Sequence, residues 1–482
     1  MKKNSVKRNY IYNLLYQILT IIIPLITTPY LSRVLGAENI GIYSFTISIT
    51  TYFILFGSLG VAIYGQREIA YVQNDIRKRS KIFFEITFMR CITLGVSLFI
   101  FYITFCLKGQ YSIYYKILIL EIIANAIDIS WYFQGLEEFK KTVIRNIIVK
   151  LISVICIFLF VKESVDLNNY FIIYVLSTLL GNLSLWMYLP KFVQKVKIKE
   201  LNLFRHVKPT IMLFIPQVAT QIYTVLDKTM IGVIVSNKAE VGYYEQAQKI
   251  VKLLMTLATS LGTVMMPRIA ATFASGNHEK VREYMNKSFH FILLLAFPLM
   301  FGIISVSSSF VPIFYGKGYD KVIPLLCVIS PIIVLIGLSN ITGTQYLLPT
   351  KKQNQYTLSV VVGAIVNFIL NLILIKYFAS IGASIATVIA ELAVTSIQFI
   401  LVRKEIKFID VIKLSYKYVI GSLIMFMCSM IVGYFIKDNL VSIILQVIVS
   451  FFVYFLVLYI LKDKMINEVV VRFKSKIRKE GK

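Results

Sequence analysis

What this chain has little of narrows its chemistry first. Three histidines and five cysteines are spread through 482 residues, and no pair has the spacing that a zinc site or redox dithiol needs. Cys91, Cys106, Cys156, Cys327 and Cys428 stand singly in apolar stretches and read as small fillers. His206, His278 and His290 are equally isolated. Acids are scarce: 24 Asp and Glu face 51 Lys and Arg, for a net charge of +27. No loop pairs two carboxylates for general acid–base work on a sugar, and the loop acids Asp166 and Asp320 read as solvated. Connections such as LKGQYS, KESVDLNN and YFAS are too short for a folded outer domain. That disfavours a membrane polymerase or ligase, which would need a platform for its sugar chains.

What the chain does have is apolar length. Hydrophobic residues make up 57% of it and mean hydropathy is +0.75, more than a water-facing surface could carry without very large apolar patches. The spacing predicts an all-α integral membrane protein of about fourteen spans, each long enough to cross roughly 30 Å of hydrocarbon at 1.5 Å per residue. The period-two alternation of a transmembrane barrel is missing. The charged start before the first span resembles a signal peptide, but Pro24, Pro29 and the lack of a small-residue cleavage site point to an uncleaved helix.

One hairpin occurs twice. YLSRVLGAENIGIYSF, Tyr30 to Phe45, is echoed by IGVIVSNKAEVGYYEQ, Ile231 to Gln246, with Gly242 and Tyr244 matching Gly41 and Tyr43 at an offset of 201 residues. A parallel repeat of this kind predicts two similar six-helix lobes. We expect them over 1–210 and 211–402, with two further helices and a basic tail over 403–482.

Charge gives the orientation. With the N-terminus inside, about 37 of the 51 basic residues fall on the cytoplasmic face and about 9 on the other. Both termini are therefore expected in the cytoplasm. The same bias accounts for the positive charge through anionic lipid, without nucleic acid.

Polar residues inside spans are costly and usually face a bundle interior or wet cavity. They recur here at helical spacing: Asn9, Asn13, Tyr16, Thr20 and Pro24; Glu121, Asn125, Asp128 and Tyr132; Gln217, Gln221, Thr224 and Lys228; Glu245, Gln248, Lys249 and Lys252; then Asn340 with Thr344, and Gly363 with Asn367 and Asn371. The bland alternative is hydrogen-bonding glue between helices. It fits Lys249 and Lys252 less well, because they lie about 9 to 13 Å along their span, too deep for easy snorkelling. Glu245 can pair with Lys249 at i, i+4, which leaves Lys252 as the strongest cation for a ligand.

The opening segment, NYIYNLLYQILTIIIPLITTPYLSRVLGAENIGIYSFTISITTYFILFGSLGVAIYGQREIA, Asn9 to Ala70, resembles that of bacterial polysaccharide flippases. These are the Wzx-type branch of the superfamily that also holds lipid II flippases and multidrug and toxin extruders. The resemblance implies a V-shaped transporter with a central cavity, working by alternating access in the bacterial cytoplasmic membrane. It implies as cargo an undecaprenyl-diphosphate-linked oligosaccharide, flipped for capsule or other surface polysaccharide, with a polymerase and glycosyltransferases as neighbours in the pathway. It implies no enzyme activity, metal or cofactor.

A lipid diphosphate calls for fixed cations, and sugars for amides and flat rings. We therefore expect the head group on Lys228, Lys249 and Lys252, with Arg33 at the outer mouth, in an SRVLG string similar to one in the lipid II branch, and Arg67 and Arg90 toward the inner one. Asn13, Gln221 and Gln248 are the amides expected to bind substrate, and Asp128 the acid expected to couple transport to protons or sodium ions. The alternative within transport is a multidrug/cation antiporter, for which Asp128, Asp227, Glu245 and Glu391 would supply the acids.

Overall fold

The computed structural model describes residues 3–406, 408–463 and 465–467, with side chains from 18 onward except at 215–217, 219, 220, 222–224 and 263. Asn13, and the stripe around it up to Tyr16, lie outside the described side chains. Among the described residues there is no strand. The helices are α1 (Lys3–Ser58), α2 (Val61–Tyr71), α3 (Ile76–Phe101), α4 (Ser112–Ala126), α5 (Ser130–Gly135), α6 (Phe139–Phe160), α7 (Leu167–Trp186), α8 (Phe204–Ile234), α9 (Ala239–Ala274), α10 (His278–Tyr315), α11 (Val322–Ile329), α12 (Ile332–Ser339), α13 (Gln353–Val402), α14 (Phe408–Phe435) and α15 (Asn439–Ile460).

Ten helical stretches of the described residues are long and apolar enough to cross a bilayer, and they hold twelve of the fourteen expected spans. Two of the ten hold two spans each. In α1 the chain turns at Gly36, whose φ of 77° only glycine adopts without strain. In α13 it turns at Ala379, with φ 49°. The expected fourth span is not one helix: α4 stops at Ala126 and α5 begins at Ser130. The seventh lies in α8 and is not among the ten. Apolar side chains such as Ile92, Phe99, Leu151, Ile155, Ile373 and Phe452 stay exposed along the spans, as a lipid-facing surface requires.

The chain forms two compact units, residues 1–232 with 236–242, and residues 233–235 with 243–482. In the first, α4 packs on α7, α1 and α3, and α6 packs on α7 and α1. An aromatic core of Tyr64, Phe83, Trp131, Tyr132 and Phe133 joins α2, α3 and α5. Gly65 permits it: a Cβ there would stand 2.4 Å from the Trp131 ring.

In the second unit α10 packs against α14 and α15. Ser429 Oγ donates to Ser305 Oγ at 2.9 Å, Gln446 donates to the Ser429 carbonyl at 3.0 Å, and the Tyr454 hydroxyl donates to the Leu294 carbonyl at 2.8 Å. These bonds fix two helices that lipid alone would leave free to slide. A π-helical turn over Asn340–Leu347 is held by its own polar residues. Ser288 donates to Gln345 at 2.8 Å, and Thr342 donates to Gln398 at 2.7 Å. Such turns re-aim side chains inside a helix.

Candidate functional site

The stripe on α9 is where the second unit gathers polar atoms. Lys252 Nζ donates to Gln248 Oε1 at 3.1 Å, and Gln248 Nε2 donates to the Tyr244 hydroxyl at 3.3 Å. Tyr244 in turn lies 3.1 Å from the Thr387 hydroxyl on α13. Lys252 is thus the exposed end of a chain of hydrogen bonds rooted in buried residues, rather than an isolated cation. Lys249 pairs with Glu245 at 3.5 Å, as the i, i+4 spacing predicts. On α8, Lys228 and Gln221 are half-buried, and Asp227 beside Lys228 is buried.

Lys228 belongs to the first unit, whose other expected cations are placed as follows. Arg33 is exposed three residues before the turn at Gly36. Arg67, also exposed, pairs with its neighbour Glu68 at 3.0 Å and lies 5.4 Å from the Tyr64 ring. Arg90 is buried. Its Nη1 donates to the Asp128 carbonyl at 2.8 Å, with Nη2 3.9 Å from the carboxylate. Asp128 Oδ1 also accepts from the Ser130 backbone at 2.9 Å and from its hydroxyl at 2.5 Å, starting α5 after the break. Arg90 and Asp128 therefore come together as a pair that mends the interrupted fourth span. The expectation had put them in separate roles.

Two cations escaped the sequence reading. Arg145 and Lys150 both lie on α6, which begins at Phe139. The Arg145 guanidinium donates to Asn182 Oδ1 at 2.6 Å and to Ser130 Oγ at 3.0 Å. With Asn146, Lys150, Ser153, Tyr170 and Tyr174 it lines a polar cavity of about 320 Å³ between α6 and α7. An adjoining apolar cleft of about 380 Å³ is lined by Ile152, Cys156, Phe160, Ile172, Leu176 and Leu180, and the two share Val149, Ile173 and Ser177.

Before its span begins, α8 is anchored by a buried network. Glu85 Oε1 accepts from the Asn202 backbone at 2.7 Å, while Oε2 meets the Arg205 guanidinium and His206 Nε2, the latter at 2.9 Å. His206 Nδ1 lies 2.7 Å from the Tyr64 hydroxyl. A neutral ring with its proton on Nε2 satisfies both contacts. Burial pushes the His206 imidazole below its ordinary value, against the pull of Glu85.

The repeated hairpins meet. A Cβ on Gly41 would fall 1.7 Å from the Lys238 carbonyl oxygen, and one on Gly242 would fall 2.1 Å from that of Ala37. The matched glycines are what lets the two backbones touch. Residues 236–242 cluster with the first compact unit. Lys238 is buried at this junction, donating to the Gly232 carbonyl at 2.5 Å and sitting 5.0 Å from the Phe45 ring; burial lowers its ammonium below the usual lysine range.

Comparison with known proteins gives the following. Residues 6–273 match the family described as polysaccharide biosynthesis protein, and residues 147–458 match the family described as lipid II flippase MurJ. The protein named "Putative O-antigen transporter" of Escherichia coli (strain K12) is 27% identical over 84% of this chain and 98% of its own length. Among solved structures, the lipid II flippase MurJ in an inward closed conformation superposes with a TM-score of 0.74 at 19% identity, covering 94% of this chain and 100% of that one. An inward-facing multidrug resistance transporter of the MATE family gives 0.59 at 12% identity, covering 82% and 98%.

Proposed function

The chain belongs to the polysaccharide biosynthesis protein family, and on that premise we propose that it is a flippase for a lipid-linked oligosaccharide. It would turn that cargo from the inner to the outer leaflet of the bacterial cytoplasmic membrane by alternating access, for assembly of a surface polysaccharide. The observation that carries this reading is the match to the O-antigen transporter relative over 84% of this chain and 98% of that one. The polar side chains within spans support it: cations at Lys252, Lys249, Arg145 and Lys150 suit a diphosphate, and amides and tyrosines beside them suit sugars. An undecaprenyl diphosphate carrier, both termini in the cytoplasm, and a downstream polymerase with upstream glycosyltransferases complete the proposal. The protein itself would catalyse no covalent step. Protons or sodium ions are the proposed coupling species. Asp128, held by Ser130 and Arg90, would take part by releasing Arg90.

The test is an inside-out vesicle assay that follows lipid-linked oligosaccharide and a cationic dye in parallel. Translocation of the lipid-linked oligosaccharide without dye efflux is expected. Dye efflux with no movement of the glycolipid would overturn the reading in favour of a drug antiporter.

A further inference from the structure

Two buried carboxyls in the first unit receive opposite treatment. Glu85 is fully buried and surrounded by donors, with Arg205, His206 and the Asn202 backbone all bonded to it. Glu121, midway along α4 and only 7% exposed, has no cation within ion-pair distance among the described residues. Its neighbours are neutral: the Tyr174 hydroxyl 3.5 Å from Oε1, the hydroxyl of Thr178 and the amide of Asn125. Its other oxygen, Oε2, is buried without a hydrogen-bond partner. A carboxyl kept for structure would look like Glu85.

The groups facing Glu121 come from every side. Tyr43 approaches from α1 and Tyr174 from α7, with Tyr170 packed against Tyr43. Arg90 of α3 is taken by Asp128, seven residues further along. Arg145 and Lys150 of α6 line the polar cavity whose wall includes Tyr174 and Thr178, the two residues that also touch Glu121. The cavity is roomy and polar enough to hold water. A carboxylate with no cation is costly in a span, and a neutral carboxyl is not.

We infer that Glu121 is a proton-binding site of the transport cycle, loaded and emptied through the cavity between α6 and α7. Hydronium in that cavity passes a proton to the Glu121 carboxylate through the Tyr174 or Thr178 hydroxyl, which gives up its own proton as it accepts the new one, and the proton returns to water by the same route when the cavity cations come to favour the carboxylate. The inference rests on the transport reading above for its role, but the site itself can be tested without transport.

The experiment uses full-length protein in liposomes. Infrared difference spectra across a pH jump should show a protonated-carboxyl stretch that is lost in Glu121→Gln and shifted in frequency by Tyr174→Phe, with both variants melting as the parent does. In vesicles, an imposed pH gradient should accelerate glycolipid translocation by the parent, and in Glu121→Gln the ratio of rates with and without the gradient should fall to unity. A carboxyl band of full size in Glu121→Gln, or an unchanged gradient response, would overturn the inference. Loss of the band in a protein whose parent moves no glycolipid would leave the proton site standing and remove the flippase reading instead.

Discussion

At the scale of single residues, what matters is whether a buried charge is balanced, because an uncompensated one is expensive and a balanced one is structural. Lys252 is an exposed cation whose ammonium donates to Gln248, which in turn donates to Tyr244. Replacing Lys252 by Gln should slow glycolipid translocation by about tenfold, the scale of one charge-assisted hydrogen bond of roughly 1.5–3 kcal/mol. Lys252→Arg should retain more activity, and full transport by Lys252→Gln at parental abundance would remove the residue from the site. His206 illustrates the second kind. Its folded-state value is depressed by burial, so below about pH 6.5 the unfolded chain takes up the proton more readily than the folded one. The contribution is fully present above that pH and lost as pH falls toward the folded-state value. Melting temperature should therefore drop on acidification, and the drop should be smaller in His206→Gln. An identical pH profile in the variant would show that the ring does not titrate on unfolding. Of these residues the sequence displayed Lys252, since depth along a span follows from position. It could not display Glu85, Arg145 or His206, whose partners lie 120, 37 and 142 residues away.

At the scale of elements, the repeated hairpin was legible and its meaning was not. Two GxY strings flanked by apolar runs identify equivalent turns, but only the coordinates bring Gly41 and Gly242 into backbone contact. Periodicity describes one helix at a time and is silent on which helices touch. It also missed the break between α4 and α5, since Asp128 and Ser130 fit the helical stripe as well as they fit a cap. Gly242→Leu should lower stability by about 1–3 kcal/mol, the usual cost of overpacking, and should abolish translocation if these turns must slide past one another. Gly302→Leu is the matched control. A Cβ at Gly302 meets nothing within 4 Å, so its melting temperature and transport should stay at parental levels. Equal tolerance of leucine at both glycines would show that the hairpin contact contributes nothing.

At the scale of the whole molecule, the sequence reading was strongest where physics is simplest. Hydrocarbon thickness sets helix length, whichever helix packs on which; the charge bias supplies an expected orientation. Helix α9 turns that bias into a sharp test. It runs unbroken over 36 residues from Ala239 to Ala274, about 54 Å at 1.5 Å per residue, which exceeds a bilayer of roughly 40–45 Å including head groups. Asn237 lies just before it and Asn277 just after, so the length of α9 separates them along the chain. If the basic segment beyond α9 is cytoplasmic, Asn237 must be outside. In a protein whose five native cysteines are replaced, Asn237→Cys should react with an impermeant maleimide in intact cells, and Asn277→Cys only after permeabilisation. The reverse pattern would invert the orientation while keeping the fold. Labelling of both positions from one side would mean that α9 does not cross the membrane, and the register of every later span, with the equivalence of the two hairpins, would fall with it.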